Sequence, residues 1–212
     1  MAYNEFTLDE VEARFGMRTD TRGDFFAPVQ PVEISDWLRQ HLKKRAPLAM
    51  AIGTEKANSE LLIMPVLLEA MDQHGSECSL FSGVEFSPDP NRGLRGICDY
   101  LLSLSPEQLT IKSPVVAIVE AKNDNIKTGW GQCVAEMVAA QIFNQRQQNE
   151  IETIYGVVTT GSLWRFLRLC GVTVYVDRTE YYLNEVEKIV GILLAMLREA
   201  TAEREAKHAL RE

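Results

Sequence analysis

In the stretch 115–124, VVAIVEAKND, an apolar run ends in charged residues. Five apolar residues run without a break into Glu120, and Lys122 follows two positions later. An unbroken apolar run is typical of a central strand that helices cover on both faces. Because side chains alternate along a strand, we expect Glu120 and Lys122 to share one face with Val116 and Ile118. Charged groups at the end of such a strand are costly to desolvate, so the stretch predicts a polar site there.

The segments on either side of this strand predict an α/β fold in which helices flank both faces of a mixed central sheet. The strand–helix–strand order in the middle of the chain implies a crossover between parallel strands, and the other strands are typical of hairpins. The predicted elements are helices at 33–45 and 56–73, strands at 78–86, 94–104 and 115–122, a helix at 129–148, strands at 153–160, 163–170 and 172–176, and a helix from 183.

Three local signals set the expected ends of these helices. Ser35 and Thr128 are good N-cap residues for the helices that follow them. The basic run 43–45, KKR, is expected to cap the C-terminus of the first helix, where cations complement the helix dipole. Pro65 is expected to kink or restart the second helix, because proline lacks the N–H that a helix interior needs.

The length of 212 residues predicts a single domain, 1–212, with an N-terminal arm at 1–30 and a C-terminal helix at 183–212. The apolar runs are too short to cross a bilayer, and the acidic, mixed start of the chain predicts no signal peptide. We therefore expect a cytoplasmic protein without a membrane partner. The four cysteines lie far apart and form no CxxC pair, which favours buried free thiols over disulfides or a zinc site.

The net charge of -8 argues against a general nucleic-acid coat protein, which would normally be basic. The acidity lies toward the two ends, because residues 86–178 contain nine acids and nine bases. A bound divalent cation would make this middle region locally positive.

A second strand carries a similar anomaly, because Asp99 stands in the apolar stretch 94–104, LRGICDYLLSL. An aspartate inside a strand needs a partner. Two carboxylates on neighbouring strands, Asp99 and Glu120, suit a hard cation such as Mg²⁺ or Mn²⁺, which takes oxygen ligands. Lys122 beside such an ion would have a lowered pKa and could stabilise a phosphate or help to activate water.

Two predicted helices add polar side chains to buried-looking faces. Glu60 begins an apolar stripe that continues through Met64 and Leu67, so we expect it to point inward. Gln132 and Glu136 lie one turn apart on the helix after Lys122 and therefore share a face.

The order Glu60, Asp99, EAK at 120–122 and Gln132 resembles the PD-(D/E)XK nuclease superfamily. The resemblance covers roughly residues 57–170 and implies the restriction-endonuclease-like fold, which is a mixed sheet flanked by helices. One position departs from the pattern, because Cys98 stands where the name-giving motif has proline.

The resemblance implies a Mg²⁺- or Mn²⁺-dependent nuclease that hydrolyses phosphodiester bonds, with DNA as the expected partner and a homodimer as a further expectation. It implies that Asp99 and Glu120 bind the metal together with the backbone carbonyl of Ala121. Lys122 would orient or deprotonate the attacking water, and Gln132 would position Lys122 or the phosphate. The same resemblance implies that Glu60 contacts a second metal ion or a metal-bound water.

Plainer interpretations of the same residues remain open. Glu120 and Lys122 form a strand-end ion pair in one of them, and Glu60 is then a first-turn acid favoured by the helix dipole. A non-catalytic binding or regulatory module that keeps the nuclease scaffold is the alternative function. Lys127 suits a loop beside a phosphate backbone, whereas Arg165 is expected on a solvated strand face. An unrelated α/β protein with an internal ion-pair cluster is the third interpretation.

Overall fold

The computed structural model describes residues 2–75, 77–149 and 151–209. These residues form a mixed sheet of eight strands, which lies at the centre of the fold. Seven strands follow the order β1-β7-β6-β5-β4-β3-β2, and β8 pairs with β6. The strands are β1 (Arg18–Asp20), β2 (Ser79–Glu85), β3 (Ile97–Ser103), β4 (Val115–Ala121), β5 (Thr153–Thr159), β6 (Leu163–Cys170), β7 (Thr173–Val176) and β8 (Tyr181–Tyr182).

Helices cover both faces of this sheet, as the sequence predicts. They are α1 (Leu8–Phe15), α2 (Asp36–Ile52), α3 (Glu55–Asn58), α4 (Met64–His74), α5 (Trp130–Arg146) and α6 (Val186–Ala209). One apolar core contains α1 and α5, and a second core, on the opposite face, contains α2, α4 and α6. The α/β class with a mixed, helix-flanked sheet is confirmed.

The strand β4 occupies the middle of the sheet and every residue in it is buried. It pairs antiparallel with β3 and parallel with β5, and α5 forms the crossover to β5. One register shift interrupts the β3–β4 pairing, since Leu102 opposes Ala117 whereas Ser103 opposes Val115. This bulge turns Val116 into the core of α2, α4 and α6, so its predicted placement beside Ile118 is wrong.

The helix α2 runs to Ile52, well past the predicted end at residue 45. Ser35 is its N-cap as predicted and accepts a hydrogen bond from the Leu38 N–H. The run 43–45 therefore lies in the middle of the helix, so the prediction that it caps the C-terminus is wrong. The end signal is Gly53, which adopts a left-handed conformation that suits a residue without a side chain.

The predicted break at Pro65 takes the form of a π-helical turn, Ser59–Ile63, between α3 and α4. Because Pro65 has no N–H, it cannot bond to the Leu61 carbonyl four residues earlier. That carbonyl instead accepts a hydrogen bond from Nε2 of His41 in α2, at 3.0 Å. The proline thus interrupts the helix, and the neighbouring helix satisfies the group that the proline leaves free.

The start of α5 differs from the prediction. Thr128 lies inside a 3₁₀ turn, Ile126–Gly129, and its hydroxyl donates to the Asn125 carbonyl, so it does not cap α5. Asn125 caps that 3₁₀ turn, because its side chain accepts from the Lys127 N–H, and α5 itself begins after Gly129 without a side-chain cap.

The predicted N-terminal arm contains more regular structure than expected. It forms α1 and the edge strand β1, which pairs in parallel with β7. The cysteines are free as predicted, with Cys98 and Cys133 buried, but Cys170 is exposed, against the expectation of burial. Within the described residues, every helix is too short or too polar to span a bilayer.

Candidate metal and phosphate site

The site begins where β3 and β4 stop pairing. Their ladder ends at the pair Tyr100 and Val119, so Asp99 and Glu120 lie just beyond the last paired residues. Asp99 Oδ2 accepts a hydrogen bond from the Ala121 N–H at 2.8 Å. The aspartate side chain thus takes the place that a backbone carbonyl of β3 would occupy, and it lies close to the plane of the sheet.

The backbone of Ala121 presents a carbonyl oxygen to the same side. The Lys122 N–H donates to the Thr159 carbonyl of β5 at 2.8 Å. In a trans peptide the N–H and C=O bonds point in opposite directions. The Ala121 carbonyl therefore points away from β5 and toward the side on which Asp99 lies.

Glu120 is almost completely buried, with 1% of its surface exposed. Its Oε1 accepts a hydrogen bond from Lys122 Nζ, whereas its Oε2 is buried and has no hydrogen-bond partner among the described residues. An unpaired carboxylate oxygen in the interior is costly. Oε2 is therefore the Glu120 oxygen that a proton or a bound cation would satisfy.

The electrostatic environment of Glu120 favours its protonated form when no cation is present. Burial, reinforced by the negative charge of Asp99, raises the pKa of Glu120 to about 8, although Lys122 acts in the opposite direction. Burial alone would lower the pKa of Lys122, but the carboxylates of Glu120 and Asp99 outweigh it and raise that pKa. Lys122 is therefore an ammonium group at neutral pH, and both raised pKa values reflect the negative charges that the acids of the site bring close together.

The helix α5 supports Lys122 from the other side. Gln132 Oε1 accepts from Lys122 Nζ at 3.3 Å, and Gln132 Nε2 donates to Oε1 of Glu136 at 3.2 Å. Gly129 gives the lysine room, because a Cβ atom there would lie 3.0 Å from Lys122 Cε. The start of α5 thus packs directly against the stem of Lys122.

A cavity of about 380 Å³ opens beside Asp99 and Ala121. Its opposite wall comes from α3, the π-helical turn and the start of α4, and its floor includes residues of β2 and β3. Ser59 and Tyr100 hold two of these walls together, with their hydroxyl oxygens 2.5 Å apart. The cavity gives solvent and ligands a route to the carboxylate of Asp99.

Glu60 lies at the rim of this cavity rather than in the core. Its side chain is 63% exposed and forms an ion pair with Lys56 at 3.5 Å. The prediction that it points inward is wrong, because the π-helical turn changes the rotation between residue 60 and the apolar stripe of α4. The structure thus brings Asp99, Glu120, Lys122 and Gln132 together, and it leaves Glu60 as a rim residue.

Glu55 is a site residue that the sequence analysis missed. It lines the cavity beside Asp99, and its charge contributes to the raised pKa values of Glu120 and Lys122. In the sequence Glu55 follows Thr54, which caps α3, so it is indistinguishable from an ordinary first-turn acid.

The other basic residues divide into two groups. Lys127 is exposed on the 3₁₀ turn before α5, which leaves it available to a ligand. Arg165 lies over the Trp130 ring and pairs with Glu180, and Arg168 stacks on Tyr175. Arg165 is therefore only partly exposed, and its guanidinium group is held by contacts within the protein. The expectation that it lies on a solvated strand face is wrong.

The resemblance implies a metal ion at this site. Among residues 2–75, 77–149 and 151–209, no three His, Cys, Asp or Glu side chains converge as a metal-binding group. Mg²⁺, however, commonly takes one or two carboxylates and keeps several waters. Asp99, the unpaired Oε2 of Glu120 and the Ala121 carbonyl supply oxygen donors of the type that this ion prefers, so the residues fit it.

Comparison with the models of known protein families gave no match, and comparison with curated protein sequences gave no significant one.

Proposed function

We propose that this protein is a metal-dependent nuclease that hydrolyses phosphodiester bonds, with DNA as its substrate. One observation carries the proposal: a buried carboxylate, Glu120, keeps one oxygen unpaired beside Asp99, while a lysine occupies its other oxygen. A divalent cation would replace the proton that the raised pKa of Glu120 favours, because it would satisfy this oxygen and offset the charge of Asp99. The arrangement of two carboxylates and a lysine suits metal-assisted hydrolysis.

The proposed roles follow from the positions of the side chains. Asp99, Glu120 and the Ala121 carbonyl would hold Mg²⁺ or Mn²⁺, with Glu60 at the rim contacting a second ion or an ion-bound water. A bound ion acts as a Lewis acid on phosphate and lowers the pKa of water. Lys122, kept as an ammonium by the charges of Glu120 and Asp99 and hydrogen-bonded to Gln132, would donate to a non-bridging phosphate oxygen or orient the attacking water.

The finer fold assignment belongs to the same proposal. A helical segment, an antiparallel run β2-β3-β4, the crossover α5 and the parallel strand β5 follow one another in the order that the restriction-endonuclease-like fold implies. Homodimerisation is a further expectation from that resemblance.

The test of this function is cleavage of duplex and single-stranded DNA by the purified protein with Mg²⁺, Mn²⁺ or EDTA. We expect metal-dependent cleavage that Lys122→Met abolishes while the far-ultraviolet circular dichroism stays unchanged. Lys112→Met is the matched control, because Lys112 is exposed just before the opposite end of β4. Undiminished turnover by the Lys122 variant would contradict the assignment.

A non-catalytic module is the second candidate, and two observations favour it. The described residues contain no group of three side chains arranged to hold an ion, and Glu120 already pairs with Lys122. Such a module should gain no thermal stability from Mg²⁺ or Mn²⁺, whereas a metal-binding site should gain stability as the ion concentration rises. A metal titration followed by thermal unfolding separates the two candidates.

A further inference from the structure

A buried acid that the proposed reaction does not use lies one helical turn beyond Gln132. Glu136 is fully buried in α5, and within the described residues it forms no ion pair with a lysine or arginine. Its Oε1 accepts from Gln132 Nε2 at 3.2 Å, and its Oε2 has no hydrogen-bond partner there. An apolar side chain would fill this core position at lower cost, so the acid requires an explanation.

The explanation lies in the two ends of the Gln132 amide. An ammonium group donates hydrogen bonds and accepts none, so only the oxygen end of the amide can bind Lys122. If the amide turned over, its NH₂ group would face Lys122 Nζ as a second donor. The oxygen of Glu136 accepts from that NH₂ group and selects the orientation that places Gln132 Oε1 at 3.3 Å from Lys122 Nζ.

We propose that Glu136 is a positioning residue, which fixes the Gln132 amide so that its oxygen holds Lys122 at the end of β4. The role in hydrolysis rests on the proposed function, but the positioning itself does not. Burial, reinforced by the charge of Glu120, raises the pKa of Glu136 well above its usual range. A protonated carboxyl keeps its carbonyl oxygen as an acceptor, so the bond from Gln132 survives protonation.

The orientation can be measured without any mutation. In the wild-type protein, nuclear Overhauser effects from the Gln132 side-chain NH₂ protons should reach the Glu136 side chain and be weaker toward the Lys122 ε-protons. The reverse pattern would overturn the proposal. This measurement is independent of whether the protein cleaves DNA.

Two variants test the consequence. Glu136→Gln keeps a carbonyl oxygen in the same shape, so the orientation of the Gln132 amide and the cleavage rate should stay close to wild type. Glu136→Met removes the acceptor, so nuclear Overhauser effects from the Gln132 NH₂ protons to the Lys122 ε-protons should become stronger. With the amide free to turn, kcat should fall about 10- to 100-fold, the usual range for a residue that orients another, while KM changes little.

The effect must pass through Gln132, which a double-mutant cycle can establish. In a Gln132→Met background, Glu136→Met should lower kcat no further. An equal effect in both backgrounds would show a general structural role and overturn the proposal. If the wild-type protein cleaves no DNA, the proposed function fails, and the nuclear Overhauser effects of the Gln132 amide in wild type, Glu136→Gln and Glu136→Met still decide the positioning.

Discussion

The carboxylate of Asp99 accepts a hydrogen bond from the backbone N–H of Ala121 at 2.8 Å, just past the last paired residues of β3 and β4. This bond satisfies a donor that the separating strands would otherwise leave unpaired. It also fixes one carboxylate beside the Ala121 carbonyl and near Glu120. The Asp99 side chain thus completes the hydrogen bonding at the end of the sheet and also forms part of the candidate site.

The first prediction concerns Asp99→Asn. An asparagine oxygen can still accept from the Ala121 N–H, so we expect the fold to persist. The variant loses a negative charge next to Glu120, so metal affinity should fall by more than about tenfold, as even the loss of a supporting residue does. The measurement is the Mn²⁺ concentration that gives half of the maximal increase in Tm. Asp20→Asn, on β1 at the other edge of the sheet, should leave that concentration unchanged.

The second prediction follows from the pKa of Glu120, which is about 8 in the folded protein against an ordinary value of 4.5. An acid with a raised folded-state pKa favours folding below its unfolded pKa, and this contribution is lost as pH rises through the folded pKa. Without metal, the free energy of unfolding should therefore fall between pH 4.5 and 8. At about 1.4 kcal/mol per pKa unit, the loss is on the order of a few kcal/mol.

Urea unfolding of wild-type protein and Glu120→Gln in EDTA checks this slope. In Glu120→Gln, the free energy of unfolding should fall much less with rising pH than in wild type. The fall that remains should come from Glu136, whose pKa is also raised. Glu33→Gln, an exposed acid before α2, serves as the control for the loss of one charge. Equal slopes in wild type and Glu120→Gln would contradict the prediction.

The sequence predicted the parts of this site that depend on local pattern. The apolar run before Glu120 identified a central strand, and the one-turn spacing of Gln132 and Glu136 identified their common face. Each of these follows from the period of one element, so no tertiary information was needed.

The predictions that failed are those in which a local irregularity changed the side-chain period of a helix or strand, or in which the contacts join residues far apart in the chain. The π-helical turn before Pro65 rotated Glu60 to the rim, and a bulge moved Val116 to the other core. The separation of β3 and β4 at Asp99 depends on the register between strands, which no local pattern records. No local pattern predicts that Glu55 lines the cavity either.

The third prediction concerns Gly129→Ala. The added methyl group would lie 2.7 Å from Val158 Cγ1 and 3.0 Å from Lys122 Cε, so one of them must move. Overpacking of this kind typically costs about 1–3 kcal/mol of unfolding free energy. If the stem of Lys122 moves, kcat should fall by about tenfold or more, because small misplacements of reacting groups are costly.

Thr128→Ser, one residue earlier on an exposed turn, keeps the hydroxyl that donates to the Asn125 carbonyl; it is the control and should change both quantities little. Wild-type stability and kcat in Gly129→Ala would show that the contact with Lys122 is not tight.

The fourth prediction locates the substrate. Under the proposed function, Lys56, which lines the cavity, and Lys127, which is exposed on the turn before α5, are expected to contact phosphates of the bound DNA. Each phosphate contact contributes about 0.9 to the slope of log binding constant against log salt concentration for duplex DNA. Replacing both lysines with glutamine should therefore lower the slope by up to about 2 and weaken binding to all sequences alike.

Fluorescence anisotropy in Ca²⁺ at several salt concentrations measures the slope, with Lys112→Gln as the matched control. An unchanged slope in the double variant, or an equal decrease in the control, would place the DNA on a different surface.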